Sequence, residues 1–150
     1  MKKLSDLENL DNILRSSVVV AGGFLGTDSR NLDEIISSDL AELAKTEKTI
    51  STLVERMKEI TKKAIPAMGN WTNIDKTHET RVEEAKGIIT CPWPDSCRYA
   101  KRITFVKNTQ TGTIVKWTDL NIHLIEQHNF FEGKGSVYRV EPKEVSKVIF

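Results

Sequence analysis

Cysteine and long apolar runs are the two things this chain has least of. Only 2 of its 150 residues are Cys, too few for the disulfide framework of a small secreted domain. No apolar run comes near the roughly eighteen residues needed to cross a bilayer, so no membrane partner is expected. A large charge excess is also missing. The net charge is +1, well short of the basic footprint of a strong DNA binder. Internal repeats and low-complexity tracts are absent too. Met1-Lys2-Lys3 looks like the start of a signal peptide. However, Asp6, Glu8, Asp11 and Arg15 precede the apolar run, and Gly22-Gly23 interrupts Val18–Leu25. A signal peptide is therefore not expected, and the cytoplasm is the expected compartment.

What is present suits one modest domain: 39% hydrophobic and 29% charged residues. The charge is unevenly spread. Residues 1–96 carry 13 Lys and Arg against 16 Asp and Glu, while residues 97–150 carry 9 against 5. The C-terminal half is thus the better place for an anionic partner.

Residues 1–69 read as helical. Leu4, Leu7, Leu10 and Leu14 form one stripe, and Asp28–Asn31 is a helix-start signal. Ile36, Leu40, Leu43, Ile50, Val54, Met57 and Ala64 recur at steps of three and four, with Glu47 and Thr61 in two slots where an apolar residue is expected. The pattern fits one long helix or a helical hairpin, broken by Thr46–Thr49 and ended by Pro66 and Gly69. Its amphipathic face, residues 36–64, is expected either to brace the core or to make a coiled-coil seam of a homo-oligomer.

Residues 70–150 read as an α+β region. Asn70–His78 is a polar loop. Strands follow at Glu79–Thr90, Arg102–Lys107 and Thr113–Thr118, with Asn108–Gly112 as a hairpin turn. Thr118-Asp119 starts a short helix running to about His128. A last strand is expected at Ser136–Val140, and a closing helix from Pro142 to Val148. The expected fold class is α+β: amphipathic N-terminal helices plus a small antiparallel sheet with short helices, in one compact unit.

Chemistry-bearing residues crowd into the C-terminal third. Cys91, Cys97, His123 and His128 have the order of a Cys2His2 zinc module, but not the spacing of a classical finger. His123 and His128 stand five apart, about 140° around a regular helix, so they converge only if the helix ends there. The alternative is that the cysteines act as small buried apolar residues and the histidines flank a core helix. A Cys91–Cys97 disulfide fits by loop length, and the inferred compartment argues against it. His123, Glu126 and His128 lack the order of the metalloprotease helices, though a metal-dependent hydrolase is a third reading.

Glu132-Gly133-Lys134-Gly135-Ser136 is flexible and basic, and glycine backbone can approach an anion closely. It is not a Walker A loop. Arg98, Arg102, Lys134 and Arg139, with His123 or His128, would meet phosphates. Gly133, Gly135 and Ser136 would donate N–H groups, and Trp93, Trp117 or Phe131 would stack on a base. Ala21–Gly26 mimics a dinucleotide fingerprint but lacks the βαβ unit. Leu40–Ser51 resembles a helix-turn-helix core in an acidic neighbourhood. The reading these residues favour is a non-catalytic protein holding a phosphate-bearing small ligand such as a nucleotide. A nucleic-acid-binding regulator is the first alternative.

Overall fold

Side-chain caps decide where three of the helices begin. The computed structural model describes residues 4–16 and 23–150. Helix α1 spans Leu4–Arg15, α2 Leu32–Ala44 and α3 Ile50–Ala64. Asn31 caps α2 by accepting the Glu34 N–H, and Thr49 caps α3 by accepting the Thr52 N–H. The long periodic stretch is therefore two helices. Glu47, at φ 63°, turns the chain between them. The Ala21-Gly22 start of the glycine-rich bend, and Val18–Val20 before it, lie outside the described residues.

Strands β1 Thr72–Asn73, β2 His78–Thr90, β3 Arg98–Asn108 and β4 Ile114–Thr118 form one antiparallel sheet in sequence order. Helix α4, Asp119–His128, follows β4 directly. A capping box starts it, with Thr118 and Asn121 exchanging side-chain to backbone hydrogen bonds. Helix α5, Pro142–Ile149, closes the chain. The fold is α+β, and no helix among the described residues is long and apolar enough to cross a membrane.

Two apolar clusters meet at α4. One joins Leu53, Met57 and Ile60 of α3 to Val106, Trp117 and Phe131. The other joins Leu14, Phe24 and Ile35 to Cys91, Trp93 and Phe130. Helix α4 sends Ile122 and Ile125 into the first and Leu120 and Leu124 into the second, so it is buried on both sides. The adjacent rings Phe130 and Phe131 likewise part to opposite clusters. The first cluster draws on both halves of the chain.

Three expectations change. The buried stripe of α2 is Ile35, Asp39 and Leu43 rather than Ile36, Leu40 and Leu43. The helix is turned so that the Asp39 carboxylate takes both Nη atoms of Arg139, at 2.9 and 2.7 Å. Ser136–Val140 is not a strand, because its backbone bonds locally, Arg139 N–H to Ser136 O and Val140 N–H to Phe131 O. The polar loop 70–78 contains β1, which adds an edge to the sheet.

Thr61 explains itself in this fold. Its buried hydroxyl accepts the Trp117 indole N–H at 2.9 Å and lies 2.8 Å from the Thr104 hydroxyl. A polar residue in an apolar slot thus pins α3 to β3 and β4. Thr61→Val keeps the shape and leaves the indole N–H unpaired in the core. Urea denaturation is expected to show a loss of about 1–3 kcal/mol.

Candidate metal centre

The loop joining β2 to β3 is built to point a carboxylate inward. Cys91 N–H donates to Cys97 O at 2.9 Å, continuing the hairpin by one pair. Asp95 then makes an Asx turn, its Oδ1 accepting the Cys97 N–H at 3.0 Å, and Ser96 takes the left-handed conformation at φ 58°. With Oδ1 committed to the loop, Oδ2 faces the protein. Trp93 anchors the loop by inserting into the second apolar cluster.

Helix α4 supplies the other wall. It ends at His128 because Asn129 adopts the left-handed cap at φ 54°. That ending brings two histidines five apart to one point. His123 Nε2 and His128 Nε2 each lie 2.8 Å from Asp95 Oδ2. Cys91 Sγ lies 3.2 Å from the same oxygen and 3.6 Å from His128 Nε2. The four donor atoms are all within 4.8 Å of one another.

The surroundings fix both rings. The Tyr99 hydroxyl sits 3.0 Å from His123 Nδ1. His128 stacks on Trp93 with ring centroids 4.1 Å apart and planes 7° apart, and Phe130 packs edge-on against the same indole. Cys91 and His123 are buried, while Asp95 opens toward solvent. Burial pushes the Cys91 thiol up to about 12. Burial also pushes the Asp95 carboxyl up, but the Cys97 N–H and the His128 and His123 ring donors outweigh it and hold it well below the usual carboxylate range.

Such a set suits a borderline-soft cation. Tetrahedral zinc with one sulfur at about 2.3 Å and N or O near 2.0 Å would space its ligands roughly 3.3–3.5 Å apart. The histidine nitrogens, at 2.8 Å from Asp95 Oδ2, stand at hydrogen-bond distance and would move apart by about half an ångström to admit it. With Nε2 on a metal, the His123 Nδ1–H would donate to Tyr99, the outer-shell bond that fixes the tautomer of a ligating histidine.

Of the four residues expected to hold zinc, the structure brings Cys91, His123 and His128 together. Cys97 lies beside them, its thiol donating to Asp95 O at 3.6 Å, and Asp95 takes the fourth place. Sequence reasoning missed Asp95 as a donor. The signal available was an Asx-turn pair, Asp95-Ser96, inside the Cys-bracketed loop.

The residues expected to hold phosphate are dispersed. Trp117 and Phe131 are core. Arg139 spends its guanidinium on Asp39, Glu141 and the Glu132 carbonyl, and Arg102 on Glu84 and Asp119. The Gly-Lys-Gly segment packs backbone to backbone against residues 24–28. Gly133 N–H donates to Phe24 O, and Thr27 N–H to Lys134 O. A Cβ at Gly133 would fall on the Leu25 carbonyl, and one at Gly26 on the Ser136 amide. The Lys134 N–H already has an anion, the Asp28 carboxylate at 3.0 Å. Ser136 donates to Glu132. The Arg98 and Lys134 side chains are exposed.

Glu132 is a buried acid of this region, with no cation among the described residues that hydrogen-bond its carboxylate. It takes φ 69° and accepts from Asn121 Nδ2 and Ser136 Oγ, each at 2.6 Å. It lines a cavity of about 350 Å³ with Phe24, Ile103, Leu120 and Val137. Burial raises its pKa from 4.5 to about 7.

Comparison with family models, with curated proteins and with solved structures finds no match to this chain.

Two outcomes are expected of this loop. Gly133→Ala loses about 3 kcal/mol or fails to fold, whereas Lys134→Ala stays within about 0.5 kcal/mol in chemical denaturation. Glu132, with its folded pKa raised, contributes stability that is full below its unfolded pKa and is lost as pH rises through about 7. Relative to Glu132→Gln, the wild type therefore loses about 3 kcal/mol between acid and neutral pH, read from denaturation midpoints across that range.

Proposed function

We propose that this protein binds one zinc ion through Cys91, Asp95, His123 and His128, and that the metal is structural. The observation carrying this reading is the convergence of both His Nε2 atoms and the Cys91 thiol on one oxygen of Asp95. Thiolate and imidazole select zinc over magnesium or calcium, whose sites are built of oxygen. All four tetrahedral positions come from side chains, which supports a clamp rather than a catalyst, since catalytic zinc keeps one position open. The clamp would join the hairpin loop to α4, the helix on which both apolar clusters rest. Metal binding would therefore be coupled to folding.

Other readings have less support. Of the four cations proposed for a phosphate ligand, Arg102 and Arg139 are already paired with carboxylates. For a nucleic-acid surface at Leu40–Ser51, Lys45 pairs with Glu42 and Lys48 lies over the Phe150 ring. For a hydrolase, Glu126 pairs with Lys58 rather than facing the metal donors.

Elemental analysis of the purified chain is expected to find one zinc per molecule. After chelation the melting temperature falls, and zinc restores it. Cys91→Ser and His123→Ala abolish the restoration. Asp95→Asn weakens zinc at least about tenfold, while Cys97→Ser binds as wild type does. Cobalt in place of zinc should show a thiolate-to-metal charge-transfer band that Cys91→Ser lacks. Stoichiometric binding undiminished in both Cys91→Ser and His123→Ala would refute the site.

A further inference from the structure

Cys97 is the sulfur that the metal cluster leaves out, and its position is not incidental. The β2–β3 register pairs Ile89 with Tyr99 and Thr90 with Arg98, so the next opposed pair is Cys91 and Cys97. One hydrogen bond, Cys91 N–H to Cys97 O, joins that pair just past the end of the ladder, while the Cys97 N–H turns to Asp95 Oδ1. Directly opposed residues project to the same face of a hairpin. In a regular hydrogen-bonded pair the Cα atoms of opposed residues stand about 5.5 Å apart, inside the range a disulfide spans. Both thiols are free. Cys91 is buried against the histidines, whereas Cys97 is half-exposed at the loop edge. An oxidant arriving from solvent therefore meets Cys97 first.

We propose that Cys91 and Cys97 form a reversible disulfide on exposure to a hydroperoxide, and that forming it ejects the zinc. The proposal rests on the zinc reading above, which makes Cys91 a ligand.

The steps balance. The Cys97 sulfur attacks the peroxide O–O bond and becomes a sulfenic acid, the thiol proton leaving with the departing oxygen as an alcohol, or as water from hydrogen peroxide. The Cys91 sulfur then leaves zinc and attacks the sulfenic sulfur. The S–S bond forms, the S–O bond breaks, and hydroxide departs to be protonated by solvent. Two electrons pass from the sulfur pair to the peroxide. Zinc retains only Asp95, His123 and His128, having lost the thiolate that gave the site its preference for zinc. A dithiol reductant reverses the disulfide by exchange and restores the ligand. The loop between the cysteines is short, so the bond closes without moving α4. What changes is whether a metal bridges the loop to the helix.

The test uses the full chain loaded with zinc and treated with hydrogen peroxide. A chromogenic zinc indicator and the intact mass are read together. Wild type is expected to release its zinc as its mass falls by two hydrogens, and to take zinc back after dithiothreitol. Cys97→Ser is expected to bind zinc normally and to keep it over the time in which wild type loses it. Release from Cys97→Ser at the wild-type rate overturns the proposal, as does zinc-free wild type carrying a sulfinic acid or an intermolecular disulfide. A Cys97→Ser chain unable to bind zinc would make Cys97 a ligand and overturn it equally. Wild type that never takes up zinc sinks the metal reading itself, and the mass change alone then decides whether the disulfide forms.

Discussion

Polar groups drawn from two elements far apart in the chain must find partners where packing takes them out of water. Cys91 and Asp95 come from the tip of a hairpin, and His123 and His128 from a helix some thirty residues later, with all of their donor atoms converging on one oxygen. In that arrangement the carboxylate satisfies three donors at once, and a cation placed among the same atoms would satisfy all four as ligands. The rest of the fold is consistent with holding that point still. Trp93 is wedged between His128 and Phe130, Tyr99 fixes the far side of the His123 ring, and the left-handed Asn129 stops the helix where the second histidine is needed.

Helix α4 is the common wall. One side faces the cluster built on α3 and the sheet, and the other faces the cluster that includes α1, Phe24 and the hairpin loop. A helix buried on two sides is short of polar positions, and its histidines sit at the edge where loop meets helix. The metal reading and the packing therefore concern the same element. A clamp at this position acts on the part of the molecule that both apolar clusters share.

The glycine-rich segment is satisfied from within. A loop of this composition suits an anion, and it has one, the Asp28 carboxylate, which the Arg30 guanidinium neutralises in turn. Its glycines permit two backbones to lie against each other where any side chain would intervene. Arg139 is likewise turned inward to Asp39. Charge and flexibility are local properties, visible in sequence. The partner that uses them lies about a hundred residues away in both cases, and nothing local points to it.

The amino-acid order made most element types and many of their boundaries legible, because caps, turns and periodicity act over three or four residues; the expected strand at Ser136–Val140 and the missed β1 are the exceptions. Asn31, Thr49, Thr118 and Pro142 each start a helix near where the pattern places it, and Asn108–Gly112 makes its turn. It also indicated that Cys91, His123 and His128 were worth watching. That Asp95 joins them and Cys97 stands aside follows from the three-dimensional arrangement, where one Asx turn rotates the carboxylate inward. The same packing turns Asp39 rather than Leu40 inward, since Arg139, a hundred residues on, waits there to pair with it. Such choices depend on distances between segments remote in the chain, set by the packing of the whole.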